Sequence, residues 1–189
     1  MTQLRLNVAM VTATIILFIL TLYINELIFN RFEFARGINW VYLPAGVRLL
    51  STLLFGGAGA IGLLIVSWLV CFFYFFPDDV VRSFMGGILA AAAPYMVYRI
   101  AEHFYGLHAT LANLTPKRLL VCVAGYAFAS PLLHHIWFFL HGDRQDFFSD
   151  FFVMFAGDLF GSLIVVYSIK MSLSVFTAFK KFQSSNRCN

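Results

Sequence analysis

The sequence predicts an all-α, polytopic integral membrane protein, a bundle of about six transmembrane helices. Of its 189 residues, 61% are hydrophobic and only 12% are charged, whereas a soluble domain carries about 25% charged residues. Apolar runs of roughly 17–25 residues, the length that crosses the hydrocarbon core, recur along the chain. These observations favour a single transmembrane domain over residues 1–189.

The apolar runs place six helices in order along the chain. The first run is too long for the apolar region of a signal peptide, and we interpret it as an uncleaved span. Pro44 suits the first turn of helix 2, and Pro77 follows helix 3. Helix 2 is short, so an alternative is that it is re-entrant, which leaves five full spans. The predicted helices are about 8–29, 41–55, 58–76, 83–103, 118–140 and 148–176, and a polar tail follows at about 180–189.

Charge asymmetry between the loops predicts the orientation. Six spans put both termini on one side, and that side holds most of the basic residues, which mark the cytoplasmic face of a membrane. We therefore expect both termini in the cytoplasm and the chain in the cytoplasmic (inner) membrane. With so few charges, the net charge of +4 indicates topology and not a nucleic-acid partner. The basic residues on the side of the termini are Arg5, Arg99, Lys117, Arg118, Lys180, Lys181 and Arg187; those on the other side are Arg31, Arg36, Arg82 and Arg144.

Arg48 lies inside the apolar run of helix 2. An arginine in hydrocarbon is costly unless it has a partner or a water-filled cavity. Counted at about 1.5 Å per residue, Arg48 lies roughly 10 Å and Asp158 of helix 6 roughly 15 Å from the outer surface. Asp158 is the only acid in the middle of a predicted span. We therefore predict that the two pair, directly or through water, either as a structural lock or as the floor of a ligand site.

Other polar side chains are predicted in the same outer half of the membrane. His134 and His135 lie about two turns from the end of helix 5, and Glu26 lies near the end of helix 1. An alternative is a metal site that combines a histidine with loop carboxylates. The sequence has no zinc spacing and no catalytic motif, so we predict no metal, no cofactor and no enzymatic activity. The carboxylates considered are Asp143 and Asp146 in the loop and Asp150 at the start of helix 6.

Glycines predict close packing between helices. Pairs of small residues four apart allow helix backbones to approach each other, and they serve either packing within one bundle or formation of a homo-oligomer. The glycines assigned to such contacts are Gly57, Gly59 and Gly62 after helix 2, and Gly157 and Gly161 in helix 6.

Two segments resemble a known family. Leu43-Pro44-Ala45-Gly46, followed by a Leu-rich helix and a Gly-rich turn, resembles the "PPAG" region of the bacterial membrane-associated sensor domain of the first type. Gly157-Asp158-Leu159-Phe160-Gly161 resembles that family's Gly-Asp-x-x-Gly in a late helix. The resemblance implies a sensory membrane module that acts through a separate protein partner. The six-helix plan is also similar to the substrate-binding subunits of energy-coupling-factor transporters.

These observations lead to three hypotheses about function. The first is a non-enzymatic sensory or ligand-binding module in the lipid bilayer, in which Arg48 receives a small anionic or carboxylate ligand from outside. The second is a small-solute transporter or its substrate-binding subunit. The third is a structural or assembly subunit of a larger membrane complex, in which Arg48 and Asp158 form a lock.

Overall fold

The computed structural model describes residues 2–35, 37–107, 114–141 and 147–185. In this part of the chain, six α-helices form the bundle, so the all-α prediction is confirmed. Five of them, all except α2, are long and apolar enough to cross a membrane, where α3 is counted together with the helical turn that continues it to Phe75. The helices are α1 (Gln3–Phe29), α2 (Leu43–Phe55), α3 (Gly57–Val70), α4 (Val80–Tyr105), α5 (Pro116–Leu140) and α6 (Phe147–Ser185). The loop carboxylates Asp143 and Asp146 and the basic residues Arg36, Arg144 and Arg187 lie outside the described residues.

Two helices are longer than the apolar runs indicate. α1 begins at Gln3 instead of near residue 8, and the Gln3 side chain donates a hydrogen bond to Asn7 in its first turn. α6 continues to Ser185 instead of ending near residue 176. After Gly161 this segment contains neither Gly nor Pro, the residues that most often end a helix. The helix therefore runs on into the polar tail.

α2 is the central helix of the bundle. It contacts each of the other five helices, and ten of its 13 residues are buried. Its length is only about 20 Å, which is too short for a hydrocarbon core of about 30 Å. α2 is therefore enclosed by protein, which explains how it accommodates Arg48, Ser51 and Thr52 in buried positions.

A small β-hairpin separates α1 from α2 and was missed by the sequence analysis. A 3₁₀ turn (Asn30–Phe32) leads into two antiparallel strands, β1 (Glu33–Ala35) and β2 (Ile38–Asn39). Gly37 between them has φ +82°, which favours glycine. We call the end of the bundle that carries this hairpin the hairpin end; α1, α3 and α5 end there, and α4 and α6 begin there.

Gly56 reverses the chain between α2 and α3. Its φ of +54° lies in the left-handed region, where glycine is tolerated without strain. α3 then returns closely along α2, and Gly59 packs against the carbonyl oxygen of Ser51. α3 ends in a π-helical turn (Cys71–Phe75), and the Ser83 hydroxyl of α4 lies 3.0 Å from the Cys71 carbonyl and 2.7 Å from the Phe76 carbonyl.

Candidate functional site: a polar cavity inside the bundle

A cavity of about 70 Å³ lies between α2, α4, α5, α6 and the π-helical turn. Its lining changes from half-buried residues at the hairpin end, including Gly37, to fully buried polar residues in the interior. Arg48, His134 and Asp158 form the interior part and are 7%, 8% and 1% exposed. The cavity thus connects the hairpin end with charges inside the bundle.

The segment before α2 fixes where Arg48 lies. The Tyr42 amide donates a hydrogen bond to the Gly157 carbonyl of α6, at 3.1 Å. The next amide, that of Leu43, donates to the side-chain oxygen of Asn25 on α1, at 2.9 Å. These two bonds satisfy amides at the start of α2 that have no partner within the helix. Asn25, which with Glu26 belongs to the polar residues predicted near the end of helix 1, is only 1% exposed.

The Arg48 guanidinium lies between aromatic rings. Its central carbon is 5.2 Å from the ring centroids of both Phe18 and Tyr42, within the range of a cation–π interaction. Its Nη2 also donates a long hydrogen bond of 3.5 Å to the Tyr42 hydroxyl. The Nε atom is buried and has no hydrogen-bond partner among the described residues. Aromatic contacts therefore stabilise the charge and leave donors available.

Arg48 and Asp158 share the cavity but do not touch. Each is within electrostatic reach of the other, yet no ion pair within 4.0 Å joins these two described residues. The predicted direct ion pair between Arg48 and Asp158 is therefore absent. One carboxylate oxygen of Asp158 is buried and unpaired within the described part of the chain. Both residues line the cavity.

Two polar stripes on α5 and α6 extend the site. Tyr126, Ser130 and His134 are spaced four residues apart on α5, and Asp158 and Ser162 are spaced four apart on α6, so each set shares one helix face. The Tyr126 hydroxyl neighbours Arg48, and Ser130 neighbours Asp158, but neither contact has hydrogen-bond geometry. The hydroxyls of Tyr126, Ser130 and Ser162 are buried and unpaired among the described residues.

The histidines and Glu26 separate into different surroundings. His134 lines the cavity, and its Nδ1 lies 2.8 Å from the Ser130 carbonyl. His135 points away from the cavity, where its ring contacts Phe147 and Phe151. Glu26 is half-buried on α1 and does not line the cavity. Of the five predicted site residues, the cavity therefore collects Arg48, Asp158 and His134.

A second arginine, Arg82, lies at the hairpin end of the cavity. Its guanidinium carbon is 4.4 Å from the ring centroid of Phe76 and 4.6 Å from that of Phe138. Asp79 caps α4 by accepting a hydrogen bond from the Arg82 amide, which fixes Arg82 in the first helical turn. The sequence analysis counted Arg82 only as a loop charge. The cap signal, an aspartate three residues earlier, could have placed it on the helix.

Glycines hold α2 and its entry segment against α6. A Cβ added to Gly157 would meet the Asn39 carbonyl oxygen, and one added to Gly161 would meet the Tyr42 carbonyl oxygen. Gly62 is similarly close to Thr14 of α1. Gly57 differs, because an added Cβ there would meet no described atom within 4 Å, so the predicted packing role does not apply to it.

The fold and the cavity define a multi-pass helical membrane protein with an arginine-containing polar site inside its bundle. No group of three histidine, cysteine or carboxylate side chains converges in the described part of the chain. Comparisons with known proteins found no match: no family model, no curated protein and no solved structure matched the chain. The resemblance to the sensor domain stays a prediction.

Proposed function

We propose that this protein is a non-enzymatic membrane module that binds a small anionic ligand in the cavity between α2, α5 and α6. The observation that carries the proposal is the set of unpaired polar atoms around the cavity. Buried polar groups in proteins are almost always hydrogen-bonded, and each exception needs an explanation. Arg48 Nε and Asp158 Oδ2 belong to residues that line the cavity, and three unpaired hydroxyls lie beside these residues or one helical turn from them. A ligand with its water would satisfy the two cavity atoms directly. The five unpaired atoms are Arg48 Nε, Tyr126 Oη, Ser130 Oγ, Asp158 Oδ2 and Ser162 Oγ.

The charges of the lining favour an anion. Arg48 lines the interior of the cavity, forms no ion pair within 4.0 Å among the described residues, and has an unpaired Nε. One anionic group on the ligand would supply the partner that Arg48 lacks. A carboxylate suits the planar fork of an arginine better than it suits a point charge.

The size and the other polar groups narrow the ligand class. A cavity needs a volume of about 10–15 Å³ to hold one water molecule. The cavity of about 70 Å³ therefore holds a ligand of a few non-hydrogen atoms. Asp158 accepts hydrogen bonds when ionised, and serine and tyrosine hydroxyls both donate and accept. A short carboxylate with a neighbouring hydroxyl or amino group would use both kinds of partner.

Packing beneath the cavity favours binding over transport. Leu49, Leu53, Val123 and Tyr126 are at most 2% exposed and form one cluster in which the side chains of α2 and α5 meet. This cluster lies toward the end of the bundle opposite to the hairpin. A solute would therefore have to displace packed core side chains to continue past Arg48.

We also propose an orientation and a mode of action. The hairpin end would face the outside of the cytoplasmic membrane, because the opposite end carries more basic residues, including Arg5 and Lys117. The ligand would then enter from outside. A protein partner, or a second copy of the chain, would read the occupied state, as the resemblance to sensory modules implies.

Ligand binding can be tested with purified protein in detergent. A panel of short carboxylates, hydroxy acids, amino acids and phosphate would be screened by thermal stabilisation, and the best ligand titrated by calorimetry. Arg48→Gln should weaken binding by about 10–100-fold, because a hydrogen bond to a charged group contributes about 1.5–3 kcal/mol. Arg5→Gln, which removes an exposed arginine outside the cavity, should bind as the unaltered protein does.

Two outcomes would overturn the proposal. One is that no member of the panel stabilises the protein at millimolar concentration. The other is that folded Arg48→Gln binds as tightly as the unaltered protein. The double exchange Arg48→Asp with Asp158→Arg distinguishes a ligand site from a structural lock between the two residues. If the pair is a structural lock, the exchange should restore function fully. If it is a ligand site, the exchange should restore folding but not binding. Ligand uptake into proteoliposomes would favour the transporter instead.

A further inference from the structure

A second, apolar groove lies between α5 and α6 at the end of the bundle opposite to the hairpin. Its volume is about 480 Å³, far larger than that of the polar cavity. Leu119 and Val123 of α5 form one wall, and Leu163 and Val166 of α6 form the other. The floor is Leu50 of the central helix α2, so the two outer helices leave part of α2 uncovered here.

The groove is amphipathic along its length. Lys117 lies at the start of α5 and Lys170 lies two turns beyond Leu163 on α6, and both line the groove at the same end. Both lysines are exposed. From the lysines to Val123 and Leu163 the groove runs about 10 Å along the helices, at the α-helical rise per residue. The two lysines therefore lie where the groove opens at the membrane surface, and the apolar part of the groove extends from them toward the middle of the membrane.

We propose that this groove binds one anionic phospholipid, with its phosphate between Lys117 and Lys170 and part of an acyl chain along the groove. The charge and the apolar lining each match one half of such a lipid. Basic pockets between membrane-spanning helices bind anionic head groups in this way. A zwitterionic lipid would fill the apolar part equally well but would not use the two lysines. This proposal does not depend on the ligand of the polar cavity.

The test compares two lipids that differ only in the head group. The full-length protein in detergent would be titrated with dioleoyl-phosphatidylglycerol and with dioleoyl-phosphatidylcholine, and bound lipid counted by native mass spectrometry. If each lysine strengthens the binding of an anionic head group about fivefold, the two together predict a preference of about 25-fold for phosphatidylglycerol. Lys117→Gln with Lys170→Gln should abolish the preference, whereas Arg5→Gln, at the same end but outside the groove, should keep it.

Two further variants keep the test decisive. Lys117→Arg with Lys170→Arg retains both charges and should retain the preference, as expected if positive charge at these two positions sets it. Val166→Trp fills the groove and should weaken binding of both lipids, with the lysines intact. Equal affinity for the two lipids in the unaltered protein would overturn the proposal. So would a preference that survives the double glutamine variant, or binding of both lipids that is unchanged in the tryptophan variant.

Discussion

Replacing Gly161 with alanine should destabilise the protein through a single methyl group. The added Cβ would press on the Tyr42 carbonyl and lie 2.9 Å from the Leu43 amide nitrogen, where ordinary contacts are about 3.5–4.0 Å. The obstacle is backbone, which cannot rotate away as a side chain can. It is also held by hydrogen bonds to Gly157 and Asn25, so a shift would strain those bonds as well.

The expected cost can be set against a matched control. Overpacking costs about 1–3 kcal/mol, and alanine recovers at most about 1 kcal/mol of helix propensity over glycine. We expect a net loss of about 2 kcal/mol for Gly161→Ala, or a midpoint of thermal unfolding about 4–8 °C lower. Gly125→Ala on α5, where an added Cβ meets no described atom within 4 Å, should be neutral or stabilising. The midpoint would be followed by circular dichroism in detergent. If Gly161→Ala unfolds at the same temperature as Gly125→Ala, the close approach of the entry segment to α6 is refuted.

Three more predictions concern the ends of the helices and the orientation. Asn25→Ala should cost about 1–3 kcal/mol of unfolding free energy, because the Leu43 amide loses its acceptor in a buried position, while Asn25→Asp, which keeps an acceptor, should cost less in the same thermal assay. Ser83→Ala should cost about 1 kcal/mol, since the single hydroxyl proton shared between the Cys71 and Phe76 carbonyls is lost; an unchanged unfolding midpoint would contradict that role. The topology can be tested with single cysteines at positions 78 and 117, in place of Asp78 and Lys117, in a background without native cysteines. When an impermeant maleimide is added to intact cells, the cysteine at position 78 should react at once and the cysteine at position 117 only after permeabilisation. Reaction of both cysteines from outside would refute the proposed topology.

The fold class was predictable because the membrane leaves few alternatives. Every long apolar run in the described part of the chain is a helix, since a backbone in hydrocarbon must satisfy its own hydrogen bonds. Pro44 and the glycines after α2 also indicated the ends of the short helix. Arg48 and Asp158 stood out because a charge inside an apolar run has few explanations.

The remaining parts of the site depended on helix rotation, which the sequence does not indicate here. Most of the helices are apolar on all sides, so no amphipathic face shows which residues point inward. His134 and His135 are neighbours in sequence, yet one lines the cavity and the other packs against phenylalanines. Tyr126 and Ser162 were missed although their spacing of four from Ser130 and Asp158 was visible. The β-hairpin was missed because its strands are only three and two residues long, too short for a pattern of alternation.

The enclosure of α2 also sets the order in which this protein is assembled during synthesis. α1, which supplies Asn25 and Phe18, is made before α2, but α6, which supplies Asp158 and the glycine face, is made last. An arginine in the centre of a membrane helix costs about 2.5–3.5 kcal/mol to insert, and a helix of 13 residues is too short to span the membrane by itself. The α2–α3 pair therefore remains incompletely covered until α6 emerges from the ribosome. A chain truncated before α6 would leave uncovered the side of α2 on which Gly46 packs against Ser162 and Val165, and Arg48 would lack Asp158 as a neighbour in the cavity.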